Sequence, residues 1–221
     1  MSLLTFDEPT HTYELEGRRA PSVTQVIKRA GLINFDGIPA GTLDAARRRG
    51  TICHQAIHFY NEQDLDLDAF RADFPSYAPY VDAWISFCAQ RRFTSELNEL
   101  RVASLNYHVA GTLDCLGWLD GAPVLLDFAT GRPSDVAKDL QTAAYHALAL
   151  EWAEHEPALA GYFERAKGAV RRYAVALRAD GTFKLEPYSD PRDARQFFAL
   201  LTAQQIVDAR LRERVQVEGV A

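Results

Sequence analysis

Apolar residues change period along this chain in a way that lays out most of its elements. Between Asp44 and Tyr60, the positions Ile52, Cys53, Ala56, Ile57 and Tyr60 recur at helical spacing and predict one buried stripe. A second helix is expected over Lys138–Glu154, where Leu140, Ala143, Ala144 and Ala147 offer small apolar packing. An aromatic helix is expected near Tyr77–Arg92, and a long one from about Pro191 to Arg214 closes the chain. Strand character, rich in Val, Leu, Phe and Trp, marks Glu99–Ser104, Val109–Leu119, Val124–Phe128, Arg171–Leu177 and Phe183–Tyr188. Near the start, Tyr13 and Arg18 flank Gly17 in a short hairpin, and Glu62–Asp73 reads as an acidic loop. The order α-β-β-β-α-β predicts an α/β fold: a mixed central sheet with helices on both faces. One domain is expected over 1–221, with an elaboration in 1–43, a core in 44–188 and a closing helix in 189–221.

Turn chemistry sharpens two places. Ser22 is a good helix N-cap, and Gln25 three residues on completes a capping box. A helix N-terminus can also hold phosphate through its free N–H groups, which makes Ser22 and Thr24 candidate phosphate contacts. Asp120-Gly121 is a strong two-residue hairpin signal, because a type I′ turn needs positive φ at both central positions. That turn sets Asp114 directly across from Asp127, with Cβ atoms about 5 Å apart. Two carboxylates so placed repel by about 3 kcal/mol at an effective dielectric of about 20. A proton or a cation between them relieves this, and Mg²⁺ or Mn²⁺ suits oxygen donors best. The plain alternative is an aspartate pointing to solvent, which the apolar run VLLDF that holds Asp127 argues against. A three-residue loop would shift the register and spoil the opposition.

Two helical positions add polar chemistry. His54 borders the apolar stripe, with Gly50 one turn before it; the alternative is a core-edge histidine bonded to a carbonyl. His58 lies four residues on, but no thiolate cluster or HExxH pattern supports a zinc pair, and it is expected to face solvent. Gln141, Tyr145 and Leu148 share one face of their helix, where Tyr145 alone would read as a boundary aromatic.

At 221 residues the chain can bury one good core, and no stretch is long and apolar enough to span a membrane. No basic-then-apolar leader precedes it, so an intracellular, cytoplasmic protein is expected. Cys53, Cys88 and Cys115 are scattered in apolar contexts and read as reduced thiols. The net charge of −6 argues against a nucleic-acid partner, but phosphate binding needs only local positive charge. Arg47-Arg48-Arg49, Arg91-Arg92 and Arg171-Arg172 are the candidates; the first is preferred because it precedes the His54 turn.

Four segments in order, PSVTQVI, RGTICHQAI, AGTLDCLG with LLDFATG, and LQTAAYHAL, resemble the PD-(D/E)XK nuclease superfamily and its RecB-like exonuclease branch. Phage-encoded exonucleases and the mitochondrial genome-maintenance exonuclease belong to that branch. The resemblance implies a restriction-endonuclease-like core and a Mg²⁺- or Mn²⁺-dependent DNA exonuclease using one or two ions. It implies DNA as partner, with a recombination or replication protein as a further one. It makes His54, Asp114, Asp127 and the Phe128 carbonyl metal ligands, and puts Gln141 and Tyr145 beside the scissile phosphate. Some relatives hold an iron–sulfur cluster, which needs four thiolates and is not expected from three cysteines.

Position 129 departs from the family pattern. The motif lysine stands two residues after the second aspartate, on the same strand face, and here that residue is Ala129. A lysine there orients or deprotonates the attacking water and steadies transition-state charge. An otherwise preserved motif with alanine in its place reads as an inactivated site, by engineering rather than by natural reduction. On that reading Ala129→Lys should raise cleavage by about 10²–10⁴-fold. Two other readings compete: a non-catalytic DNA-end-binding relative, and an unrelated hydrolase with the aspartates as an acid–base pair.

Overall fold

The hairpin at Asp120-Gly121 forms as the residues dictate. Both turn residues have positive φ (51° and 79°), and the strands pair from Leu119 opposite Ala122 to Cys115 opposite Leu126. The computed structural model containing it describes residues 2–131 and 135–218; Met1 and residues 219–221, the ends of the expected domain, lie outside the described residues. The chain runs β1 (Leu4–Asp7), β2 (Thr12–Leu15), β3 (Arg18–Ala20), α1 (Val23–Arg29), α2 (Ala40–Asn61), α3 (Leu67–Asp73) and α4 (Ala78–Gln90). It continues through β4 (Phe93–Ser104), β5 (Val109–Leu119), β6 (Ala122–Thr130), α5 (Asp135–Trp152), α6 (Pro157–Ala166), β7 (Arg171–Leu177), β8 (Phe183–Tyr188) and α7 (Asp193–Glu218).

The five-stranded sheet has the order β4-β5-β6-β7-β8. Only β6 and β7 pair in parallel, and α5 and α6 supply the crossover that a parallel pair requires. A smaller antiparallel sheet, β1-β2-β3, stands where the sequence predicts a two-stranded hairpin. The fold is therefore the expected mixed α/β arrangement.

Helices cover both faces of the large sheet. On one, Val102, Leu113, Leu116 and Leu125 pack with α1, α5, α6 and residues Phe197 and Leu201 of α7. On the other, Cys115, Val124, Leu126, Phe128 and Val175 pack with Cys53, Ile57, Trp84 and Phe87 of α2 and α4. Trp84 is fully enclosed, its indole N–H donating to Asn61 Oδ1 and its ring tilted against Phe128.

Some elements depart from expectation for local reasons. Part of the acidic loop becomes α3, because the Asp66 carboxylate caps it by accepting from the Ala69 N–H while Phe70 is buried. α6 fills the stretch between the second predicted helix and β7; Pro157 opens it, and Lys167 in the left-handed region with Gly168 closes it. α2 begins at Ala40 rather than Asp44, and β4 at Phe93 rather than Glu99.

Candidate metal centre

The sheet loses its regularity where the acidic side chains gather. Leu97 and Leu100 of β4 both belong to the core on the α5 side, although alternation would put them on opposite faces. Between them Glu99 has φ of 47°, the one left-handed non-glycine inside a strand among the described residues. β5 breaks at the matching place: Leu113 faces the α5 side, whereas Cys115 faces α2 and α4. Neighbouring pairs Asn98–Cys115 and Leu100–Leu113 fix Glu99 opposite Asp114. A non-glycine residue held at positive φ costs roughly 1–3 kcal/mol and persists where its surroundings impose it.

His54 reaches this break from α2. Its Nδ1 lies 3.6 Å from Glu99 Oε1 and 3.7 Å from Asp114 Oδ1. One donor atom from each of His54, Glu99 and Asp114 falls within 4.8 Å of the others, so these three can hold a metal ion. Cys53 and Ile57 are anchored in the core beside it, and the His54 ring rests against Phe128 at 5.6 Å. Asp114 is tied to β6 as well: its Oδ2 accepts from the Phe128 N–H at 2.6 Å.

Electrostatics reflect the crowding. Burial alone would lower the His54 pKa, but Asp114, Glu99 and Asp127 together push it up to about 9. Burial raises the Asp114 carboxyl, helped by Asp127 and Glu99 and opposed by His54 and Lys138, to about 7. Both groups thus hold protons more firmly than they would in water. A bound cation would displace those protons.

Asp127 stands next to this group but is held differently. The β5–β6 ladder extends to Cys115 and Leu126, one residue short of the predicted Asp114–Asp127 opposition. Leu126 and Phe128 face α2 and α4, so Asp127 and Ala129 face α5. There the Asp127 carboxylate, 3% exposed, is ion-paired with the Lys138 ammonium. The group that could hold an ion thus differs from the expected set of His54, Asp114, Asp127 and the Phe128 carbonyl. Glu99 joins His54 and Asp114, and Asp127 is paired with a lysine.

Ala129 sits at the half-buried end of β6 as expected, yet the site does not lack a lysine amine. Lys138 comes from α5, whose next turns carry Gln141 and Tyr145 on the same face. Gln141 Nε2 donates to the Tyr145 hydroxyl at 3.4 Å, and burial raises the pKa of that phenol. Gly111 makes room for the ring, since a Cβ there would lie 2.7 Å from Tyr145 Cε1.

The candidate phosphate contacts separate. The Ser22 hydroxyl is used by its capping box, accepting from the Gln25 N–H at 3.1 Å, and Thr24 is exposed. Arg47 is exposed and pairs with Asp44 at 3.2 Å, while Arg48 is exposed. Arg49 turns inward, donating to the Thr130 carbonyl at 3.0 Å with its guanidinium over Tyr80, and so borders the end of β6. Arg91 and Arg92 both bind Asp120 and serve the hairpin turn. Arg172, half-buried, pairs with the buried Asp193 at 2.8 Å. His58 is half-buried, not solvent-facing, because its Nδ1 is enclosed.

No family model and no curated protein matches the chain. Among the described residues no helix is long and apolar enough to cross a membrane.

Glu99 is the candidate ligand that the sequence reading did not single out. Its signal lies in the β4–β5 connection: pairing Ser104 with Val109 carries Glu99 opposite Asp114. Lys138 was also legible, one helical turn before Gln141 on the face that carries Tyr145.

Proposed function

We propose that this chain is a divalent-metal-dependent nuclease that hydrolyses phosphodiester bonds at DNA ends, in recombination, repair or replication. The observation that carries this reading is the convergence of His54, Glu99 and Asp114 beside Asp127 at a strained break in the sheet. Two carboxylates and one imidazole are a donor set for a hard or borderline cation, with Mg²⁺ or Mn²⁺ favoured by the oxygens. His54, Glu99 and Asp114 would hold it. When bound, the ion would activate water and offset charge on the phosphate and leaving oxygen.

The chain's own residues support the rest. Gln141 and Tyr145 present an amide and a hydroxyl along the α5 face that carries Lys138, suited to orienting a water or a phosphate oxygen. Arg49, with the exposed Arg47 and Arg48 on the same helix, adds positive charge along the approach. Preference for ends over internal sites rests on the RecB-like resemblance. Ala129 favours a second reading, in which the same centre binds DNA ends without cutting them.

The test is digestion of end-labelled single-stranded and duplex DNA with Mg²⁺, with chelator, and by Asp114→Asn. Metal-dependent shortening from one end, abolished by chelator and by the substitution, is expected. Intact DNA under every metal condition would count against catalysis, and retained end-binding would then favour the second reading.

A further inference from the structure

We infer that Lys138 does for this site what a lysine at position 129 would do, so that the chain is a working enzyme despite Ala129. This rests on the nuclease reading above and says which side chain completes it. Residue 129 projects toward α5, and Lys138 enters the same space from α5 itself. Ala129 contributes only a methyl group there. The Lys138 side chain is only 16% exposed, and its ammonium sits on the Asp127 carboxylate beside the proposed ion site.

An ammonium has three N–H donors. Asp127 takes one of them, which leaves two for a water or a phosphate oxygen. The amine is carried by a fixed stretch of backbone. Thr142 Oγ1 donates to the Lys138 carbonyl at 2.8 Å, and Arg172 Nη1 donates to the Asp139 carbonyl at 2.9 Å. Arg172 is in turn locked by Asp193. Leu140, Ala144 and Leu148 seat the helix in the core. Gln141 and Tyr145 follow Lys138 on one face, so lysine, amide and phenol form a single row directed at the centre.

A merely structural ion pair would neutralise Asp127 and nothing more. The two roles differ in what substitution does. Lys138→Ala is expected to lower Mg²⁺-dependent kcat by about 10²–10⁴-fold, the range for a positioned acid–base group. Mn²⁺ affinity measured by calorimetry should be unchanged or tighter, because a positive charge has left the ion's surroundings. Lys138→Met, which keeps the apolar stem, should show the same kcat loss when assayed below its own thermal transition, which is expected to fall because the buried Asp127 carboxylate loses its partner. Adding Ala129→Lys to Lys138→Ala should recover cleavage, whereas Ala129→Lys alone should raise it no more than several-fold.

Equal cleavage by the unmodified chain and by Lys138→Met would overturn the assignment and leave the nuclease reading intact. So would an unmodified chain that is inert while Ala129→Lys cleaves. If neither of those two cleaves DNA, the nuclease reading itself fails and the role of Lys138 fails with it.

Discussion

The protons on His54 and Asp114 compete with any cation for the same atoms. His54 is raised from 6.5 to about 9, so the folded chain holds that proton more tightly than the unfolded chain does. Its stabilising effect is complete below about pH 6.5 and is lost as pH rises through about 9. Asp114 is raised from 3.8 to about 7, so its contribution is likewise lost as pH rises between those values. Both act in one direction. The metal-free chain should therefore melt several degrees lower at pH 9 than at pH 5.5, since about 1 kcal/mol shifts Tm by roughly 2–4 °C at this size. Added Mn²⁺ should raise Tm more at pH 9 than at pH 5.5, because binding then displaces fewer protons. Thermal scans at both pH values, with and without metal, check this. A flat pH dependence without metal would contradict the electrostatics described for the centre.

How far such residues can be read from sequence depends on what fixes them. Asp114 and Asp127 were legible because a two-residue turn sets their register. Glu99 was not, because its position depends on the longer β4–β5 connection and on a left-handed residue inside a strand. Propensity gives no warning of that conformation. Lys138 lies on a separate helix, so its approach to Asp127 follows from how α5 packs on the sheet and not from the spacing of the strand motif.

At the scale of elements, α5 carries Lys138, Gln141 and Tyr145 against the sheet, and Arg172 of β7 ties down its first turns. The sequence presents Arg171-Arg172 as a basic pair open to a ligand. Folding instead turns Arg172 inward, where it donates to Asp193, to the Asp190 carbonyl at 3.1 Å and to the Asp139 carbonyl. Arg172→Met should strand the buried Asp193 carboxylate and cost about 3–5 kcal/mol of stability, read by urea denaturation. Stability within 1 kcal/mol, taken as roughly the ordinary effect of a point change, would show that the pair does not hold the helix. α3 and α6 were missed because their evidence is short-range: a single Asp66 cap, and a Pro157 start with a left-handed Lys167 at the end. Neither helix is long enough for periodicity to reveal.

For the whole molecule, the mixed sheet with helices on both faces follows from the order of periodic segments. The crossover after β6 makes β6 and β7 parallel and swings α5 across the open end of the aspartate hairpin. That connection places one helix face over the sheet break, while α2 brings His54 from the opposite layer. With a net charge of −6, any attraction for phosphate has to come from local basic groups such as Arg47–Arg49 rather than from the overall field.

Calorimetric titration of Mn²⁺ into the metal-free chain at pH 8 examines the cation centre directly. Saturable binding of one or two ions is expected, with proton release seen as a dependence of the heat on buffer. Asp114→Asn should weaken it by at least about tenfold, the low end for disturbing a metal's ligand shell. An unmodified chain that binds no ion, or a variant that binds as well as it does, would contradict the assignment of His54, Glu99 and Asp114 as a metal site.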